Sequence, residues 1–328
     1  MAQRCLSVRV EHWPIAGAFA ISRGTKTEAA VVTAEVSEGA HRGRGEAVPY
    51  ARYGETADAV AQAIEAKADE LAKGLDLDSL QHAMSPGAAR NALDCALWDL
   101  AAKRIRRPVH ELLGLSAPKP LMTAYTISLA SPQQMADAAG KAAARPLLKI
   151  KLGGMGDAQR IAAVRRAAPH CELIVDANEG WKPENLAENL EACAQAGVTL
   201  VEQPLPADRD EVLAFIPHPI PICADESAHT RASLPALKGK YDAVNIKLDK
   251  TGGLTEALAM AREAQERGFS VMVGCMVATS LAIAPAMLVA QDARIVDLDG
   301  ALLLQRDRMH GLVYENGLVH PAGSELWG

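Results

Sequence analysis

The sequence predicts an α/β protein: a closed parallel barrel preceded by a smaller α+β domain. Three observations carry this. Eight apolar runs, each ending in a polar or small residue, recur at Thr126, Lys151, Asp176, Glu202, Asp225, Lys247, Gly274 and Asp297, 22 to 27 residues apart. Helix-like stretches lie between them, which is the signature of βα units and a parallel sheet. The even step and the absence of a GxGxxG after any strand favour a barrel over an open dinucleotide-binding sheet. At 328 residues the chain is long enough for a barrel and a second domain.

The first domain is expected over residues 1–115. Ser7–Trp13 alternates in polarity and Ala30–Val36 does so more loosely, so both predict strands. Ala20–Lys26 between them predicts an exposed basic loop. Gly43–Tyr50 predicts a third strand. Thr56 can cap a helix over Ala57–Lys73. After Ser85-Pro86-Gly87, Ala88–Lys103 predicts a long helix, with Ala92, Cys95, Ala96, Asp99 and Leu100 at helical spacing. Pro108 ends it, and Ala117-Pro118-Lys119-Pro120 marks the domain boundary.

The barrel is expected over 116–304, with a tail over 305–328. Its helices are predicted at Pro132–Ala144, Asp157–Ala168, Pro183–Gly197, Asp208–Ile216, Thr230–Leu237, Leu254–Arg267 and Ser280–Val289. Val271–Ala290 has no formal charge over a membrane-spanning length. Gly274, Thr279, Ser280 and Pro285 divide it, and a buried strand, loop and helix fit better.

Composition narrows the function classes. Hydrophobic content of 49% and charged content of 23% are ordinary for a soluble globular protein. A net charge of −6 and 4% aromatics argue against nucleic acid as a partner. The six cysteines are scattered without CxxC spacing, and no apolar signal segment follows the start. Both fit a reducing, cytoplasmic setting.

The strand ends carry the chemistry. All eight would converge on one mouth, where barrel active sites lie. Asp176, Glu202 and Asp225 supply carboxylates from three successive strands. Oxygen-only ligands suit a hard cation, Mg²⁺ with Mn²⁺ as the alternative. Taken singly, each acid could instead cap the following helix. Lys149 and Lys151 point to one face of their strand. A solvated edge strand would account for them as well, but a lysine strand on either side of three carboxylate strands favours the interior. Lys151 and Lys247 would stand on opposite sides of the mouth. A carbon acid between them would have a base on each face, with the metal stabilising the enediolate. A lysine base requires a lowered pKa, which burial and neighbouring cations can provide. Asp297 and Asp299 form a DxD at the last strand end, a pair suited to an α-ammonium group or, alternatively, to a cap or turn. Cys275 has no histidine near it in sequence and is expected to be an unreactive thiol.

Lys149-Ile150-Lys151, the Asp176, Glu202 and Asp225 series, and Lys247 before Thr251-Gly252-Gly253 resemble the enolase superfamily, muconate lactonizing enzyme subgroup. The resemblance covers nearly the whole chain. It implies a modified TIM barrel, (β/α)7β, under an N-terminal α+β capping domain that the C-terminal tail rejoins. It implies Mg²⁺, an enolate intermediate, Lys151 and Lys247 as the acid/base pair, and Lys149 near the substrate carboxylate. Ile21–Gly24 and Pro49–Thr56 resemble the capping loops of the subgroup's L-Ala-D/L-Glu epimerases, which implies that Arg23 pairs with a glutamate side chain. Gly274–Ser280 resembles their seventh-strand segment, which implies a substrate contact at Met276; Thr126 joins the substrate-binding set at the first strand end. Dipeptide epimerisation in murein peptide turnover is therefore the expected activity. N-acylamino acid racemisation, o-succinylbenzoate synthesis and cycloisomerisation use the same lysines and remain alternatives, as does a non-catalytic metal-binding scaffold. The expected partner is a small dipeptide, not nucleic acid or membrane, and a homo-oligomer is compatible with this reading.

Overall fold

A computed structural model describes residues 3–328. Its eight barrel strands are Tyr125–Ile127, Leu147–Lys151, Glu172–Asp176, Val198–Glu202, Ile222–Ala224, Ala243–Ile246, Ser270–Gly274 and Ile295–Asp297. They pair in chain order in one parallel sheet. The Ala124 N–H donates to Val296 O (2.8 Å) and the Leu298 N–H to Thr123 Oγ1 (2.8 Å), which brings the first and last strands together.

The side-chain period of two sorts the interior into layers. Ala124, Leu147, Ile174, Leu200, Cys223, Ala243, Met272 and Ile295, one from each strand, form an apolar plug. Two residues on, the same strands present Thr126, Lys149, Asp176, Glu202, Asp225, Asn245, Gly274 and Asp297. Each fully buried leucine or isoleucine of the plug is worth roughly 1.5–3 kcal/mol, so the plug stabilises the closed barrel beneath a layer that is costly to bury. Lys151 and Lys247 stand one layer higher, on the second and sixth strands. Four strands apart among eight, they face each other across the mouth.

The cap begins with a three-stranded antiparallel sheet, β1 (Arg4–Ile21), β2 (Gly24–Glu38) and β3 (His41–Ala47), paired in that order. The loop expected at Ala20–Lys26 is instead the end of a hairpin. Ala20 pairs with Thr25 and Ile21 with Gly24, so only Ser22 and Arg23 form the turn. Gly24 makes this possible with φ 142, a value that side-chain-bearing residues rarely adopt. The helix expected over Ala57–Lys73 divides into Ala57–Glu65 and Ala68–Ala72, because the Lys67 N–H bonds to Ile64 O, one residue short of the helical register. An additional helix, Leu77–Ala83, starts at Asp76, whose carboxylate accepts the Ser79 N–H. The stretch Asp208–Ile216 is a 3-10 turn over Glu211–Phe215.

The long helix Ala88–Ile105 packs directly on β3. A Cβ at Gly43 would lie 2.1 Å from Ala96 O, and one at Gly45 would lie 2.1 Å from Ala92 O, so the glycines permit backbone contact. The C-terminal residues return to the cap. Arg308 pairs with Glu46 (2.6 Å) and Glu11 (2.5 Å), and the Trp327 indole N–H donates to Cys95 O (3.0 Å). No helix of the described residues is long and apolar enough to cross a membrane, and their six cysteines are unpaired. Within the stretch that imitates a span, Ser270–Gly274 is a strand and Ser280–Val289 a helix.

Candidate active site

Asp176, Glu202 and Asp225 end three neighbouring strands and point into the barrel. One oxygen from each lies within 4.8 Å of the others, and all three residues are buried. Four ammonium groups surround them. Lys151 Nζ lies 2.6 Å from Asp176 Oδ2, and Lys247 Nζ 2.7 Å from Asp225 Oδ2. Lys250 Nζ donates to Asp225 Oδ1 (2.5 Å) and to the carbonyl of Asn245 (2.9 Å). Lys149 Nζ lies 2.6 Å from Asp297 Oδ2 and 3.2 Å from Asp176 Oδ2. It is also 2.6 Å from Glu202 Oε2, although that oxygen makes no hydrogen bond.

The electrostatics follow from burial and from these pairs. Burial opposes ionisation of Asp176 and Asp225, but the lysines outweigh it and hold both carboxyls below the usual range. Burial and the neighbouring Asp176 push Glu202 up to about 7. Burial pulls Lys247 down, yet Asp225 and Glu202 outweigh it and hold its ammonium well above the usual lysine value. Burial acts on Lys247 in the direction expected for a base, and the acidic triad beside it outweighs burial. Lys149 is raised in the same way, against burial, by Asp297 and Glu202. Lys250 is lowered, since burial exceeds the pull of Asp225.

A buried all-oxygen triad with a carboxylate oxygen that no hydrogen bond claims fits a hard divalent cation. The acids are not helix caps: their oxygens meet lysines, the Asn245 amide (2.7 Å from Glu202 Oε1) and the Asn178 N–H (2.9 Å from Asp176 Oδ1). Asn178, Glu179 and Gln203, just beyond the strand ends, have positive φ of 45, 64 and 34, backbone strain of the kind that gathers at functional sites.

Above the triad, cap and barrel enclose a cavity of about 490 Å³. Lys151, Lys247, Asp225, Thr126, Met276, Asp297 and Asp299 line it from the barrel, and Arg23 from the hairpin tip. Lys149 does not; it lies beneath, held by three carboxylates. Asp297 keeps Oδ1 without a hydrogen bond. Asp299 accepts the backbone N–H of Thr126 (2.7 Å), and burial with the neighbouring Asp297 pushes it up to about 7. The Cys275 thiol donates to Asp297 O (3.4 Å), and burial raises its pKa well above the usual value, in keeping with an unreactive thiol.

Arg23 is heavily engaged. Its guanidinium donates to Glu226 Oε1 (2.6 Å), Glu179 Oε2 (3.0 Å), Asn178 O (2.8 Å) and the Tyr50 hydroxyl (2.8 Å). The Ser22 hydroxyl adds a bond to Asn178 O (2.6 Å). These contacts tie the hairpin tip to the barrel rim. Gly180 lets them approach: a Cβ there would lie 3.1 Å from the Ser22 Cβ.

Sequence reasoning missed Lys250, Glu226, Glu179, Arg52 and Asn245. Lys250 follows Lys247 by three residues on one helical turn (Leu248–Thr251), a spacing that could have flagged it. Glu226 directly follows a metal-ligand candidate. Glu179 and Arg52 meet only through the fold, with two contacts of 2.8 Å.

Comparisons with known proteins agree with this geometry. The mandelate racemase/muconate lactonizing enzyme N-terminal domain matches residues 4–114, and the enolase C-terminal domain-like family matches 133–324. The chain is 47% identical over 319 residues to the L-Ala-D/L-Glu epimerase of Escherichia coli K12, covering 97% of this chain and 99% of the relative. It is 48% identical over 288 residues to an N-acetyl-D-glutamate racemase of a Pseudoalteromonas species, covering 87% and 91%. An Agrobacterium tumefaciens enolase family member with homology to dipeptide epimerases, solved with sodium and L-Ala-L-Glu bound, superposes with TM-score 0.98 at 55% identity, over 99% of this chain and 100% of that one. A dipeptide epimerase from Enterococcus faecalis, solved with Mg and L-Leu-L-Tyr, does so with TM-score 0.91 at 28% identity, over 100% of both chains.

Proposed function

Because this chain belongs to the mandelate racemase/muconate lactonizing enzyme branch of the enolase superfamily, we propose that it is an isomerase that epimerises dipeptides, L-Ala-D/L-Glu foremost, by moving one α-proton. The observation that carries this is the pair Lys151 and Lys247: two ammonium groups facing one cavity from opposite sides of the barrel, each tied to a different acid of the triad.

Two bases across one carbon give inversion. One lysine takes the α-proton of the second residue, and the other returns a proton to the opposite face. Asp176, Glu202 and Asp225 would hold Mg²⁺, which supplies positive charge for the negative charge that develops on the substrate carboxylate and offsets the field that now holds the Lys247 proton. Lys149 and Lys250 brace the triad from beneath and fix its oxygens. Asp297, with an oxygen left unbonded in the cavity, and Asp299 are suited to the free α-ammonium of a dipeptide. The hairpin tip, held to the barrel rim by Arg23, lines the cavity opposite the lysines. Thr126 acts by anchoring Asp299, and Met276 packs against the substrate.

A second reading is racemisation of N-acyl glutamate, which the 48% identical relative supports. It leaves Asp297 Oδ1, which makes no hydrogen bond, without an ammonium to meet, and the dipeptide reading is therefore preferred. Incubation with Mg²⁺ in D₂O tests both. Deuterium at the α-carbon of glutamate in L-Ala-L-Glu, with formation of L-Ala-D-Glu, supports the proposal. Exchange confined to N-acetyl-glutamate moves the protein to the second reading, and exchange in neither refutes both.

A further inference from the structure

Asn245 stands in the charged layer of the barrel without a charge of its own. It is fully buried on the sixth barrel strand, two residues before Lys247, so both side chains enter the interior from one face. Its Nδ2 donates to Glu202 Oε1 (2.7 Å). The carboxylate fixes that orientation, because it accepts from the amide nitrogen and would repel the amide oxygen. The other end, Oδ1, is buried with no hydrogen-bond partner among the described residues. A buried acceptor left open is costly, so it calls for a donor that arrives in another state of the site.

Gly274 borders that oxygen. A Cβ there would lie 2.8 Å from Asn245 Oδ1, 2.9 Å from Nδ2 and 3.1 Å from Lys247 Cε. Gly274 ends a strand without positive φ, so the glycine serves space and not backbone freedom. The amide oxygen and the lysine stem therefore border one small space.

Which ammonium can move identifies the donor. Lys247 Nζ holds Asp225 Oδ2 (2.7 Å) and Lys250 Nζ holds Asp225 Oδ1 (2.5 Å). Asp225 can give an oxygen to a cation only when one of them yields. Lys250 is anchored further by two carbonyls, Asp225 O (2.6 Å) and Asn245 O (2.9 Å). Lys247 has no such anchor among its contacts and lines the cavity. Glu202 Oε1 lies 3.9 Å from its Nζ and is already taken by Asn245 Nδ2.

We propose that Asn245 Oδ1 receives the Lys247 ammonium when Asp225 turns to the metal, and so aims this lysine at the substrate's α-carbon. Asn245 is then a positioning residue. Its Nδ2 fixes Glu202, its Oδ1 fixes Lys247, and Gly274 keeps open the space in which amide and lysine meet. The inference rests on the reading of Lys247 as one of two bases.

Two measurements test it. The first is a crystal structure of the Mg²⁺-loaded native protein, which needs no turnover. Lys247 Nζ within about 3.2 Å of Asn245 Oδ1 is the expected result. Nζ still on Asp225, or on another acceptor with Oδ1 left open, overturns the proposal. The second is the initial rate of α-deuterium entry into L-Ala-L-Glu and L-Ala-D-Glu for the native protein, Asn245→Leu and Gly274→Ala. Calorimetry sets a saturating Mg²⁺ concentration for each. Leucine keeps the amide's size without its polar atoms, and alanine at 274 parts amide from lysine with the amide intact, so each variant carries the prediction on its own. Both should slow, by roughly 10- to 100-fold, the isomer whose exchange Lys247→Ala abolishes. The other isomer should stay close to the native rate. Equal slowing of both isomers, or loss of Mg²⁺ binding in both variants, confines Asn245 to the triad and overturns the proposal. A native protein that exchanges neither dipeptide sinks the epimerase reading, while the Mg²⁺-loaded structure still decides the contact between Lys247 and Asn245.

Discussion

Asp249 → Asn should remove a pH-dependent weakness at the junction of cap and barrel. Asp249 lies on the helical turn that follows Lys247 and is 7% exposed. Its Oδ1 accepts the Val48 N–H (2.9 Å) and the Asn91 side-chain amide (2.9 Å), both from the cap. Burial is the main influence and raises its pKa from 3.8 to about 7, with Glu55 and Glu46 adding repulsion. A carboxyl whose pKa is higher when folded favours the folded state most below the unfolded value. That advantage is lost as pH rises from near 4 through about 7. Roughly three units correspond to about 4 kcal/mol. Asparagine keeps the acceptor oxygen and, like the protonated acid, presents a donor on the other side. The variant should therefore exceed the native protein's stability by only about 1 kcal/mol at pH 4.5 and by up to about 4 kcal/mol at pH 8.5. Urea unfolding across that range measures the difference. A difference between the two proteins that does not change with pH would refute the reasoning.

Three further outcomes follow from the structure. Gly45 → Ala places a Cβ 2.1 Å from a helix backbone oxygen that cannot rotate away, so it should lower stability by about 1–3 kcal/mol or more, seen as a lower Tm. Mg²⁺ at a hundred times its Kd should stabilise the native protein by about 2.7 kcal/mol, an effect that thermal melts should find absent in Asp225 → Asn and reversed by chelator. Asp297 → Asn should raise KM for free dipeptides about tenfold or more while sparing N-acetyl-glutamate, as a charge-assisted contact with the ammonium requires, and equal losses on both would contradict that role.

The barrel was legible because its strands are buried on both faces and end in polar residues, so each announces itself as an apolar run with a marked terminus. Ser280–Val289 lies where that pattern put it, and the eight strand ends lie within one residue of their expected positions. The layering extends this. The spacing of two residues carries each strand from the plug to the ligand layer, and the double lysine of the second strand spans two layers. The hairpin was less legible, since a pairing between Ala20 and Thr25 leaves no alternation to read. Partners that meet across domains were not legible at all. Arg23 reads in sequence as part of an exposed basic loop, and only the fold brings Glu226, 203 residues away, to within 2.6 Å. The closeness of Lys247 to the acids is likewise a property of the barrel and not of the local sequence.

The two-base assignment is the central claim, and proton exchange in Lys151 → Ala and Lys247 → Ala tests it most directly. Each variant is incubated with L-Ala-L-Glu and, separately, with L-Ala-D-Glu in D₂O with Mg²⁺. The account predicts no epimerisation in either variant, with deuterium entering one stereoisomer in Lys151 → Ala and the other in Lys247 → Ala. Conversion between the two isomers by both variants would contradict it.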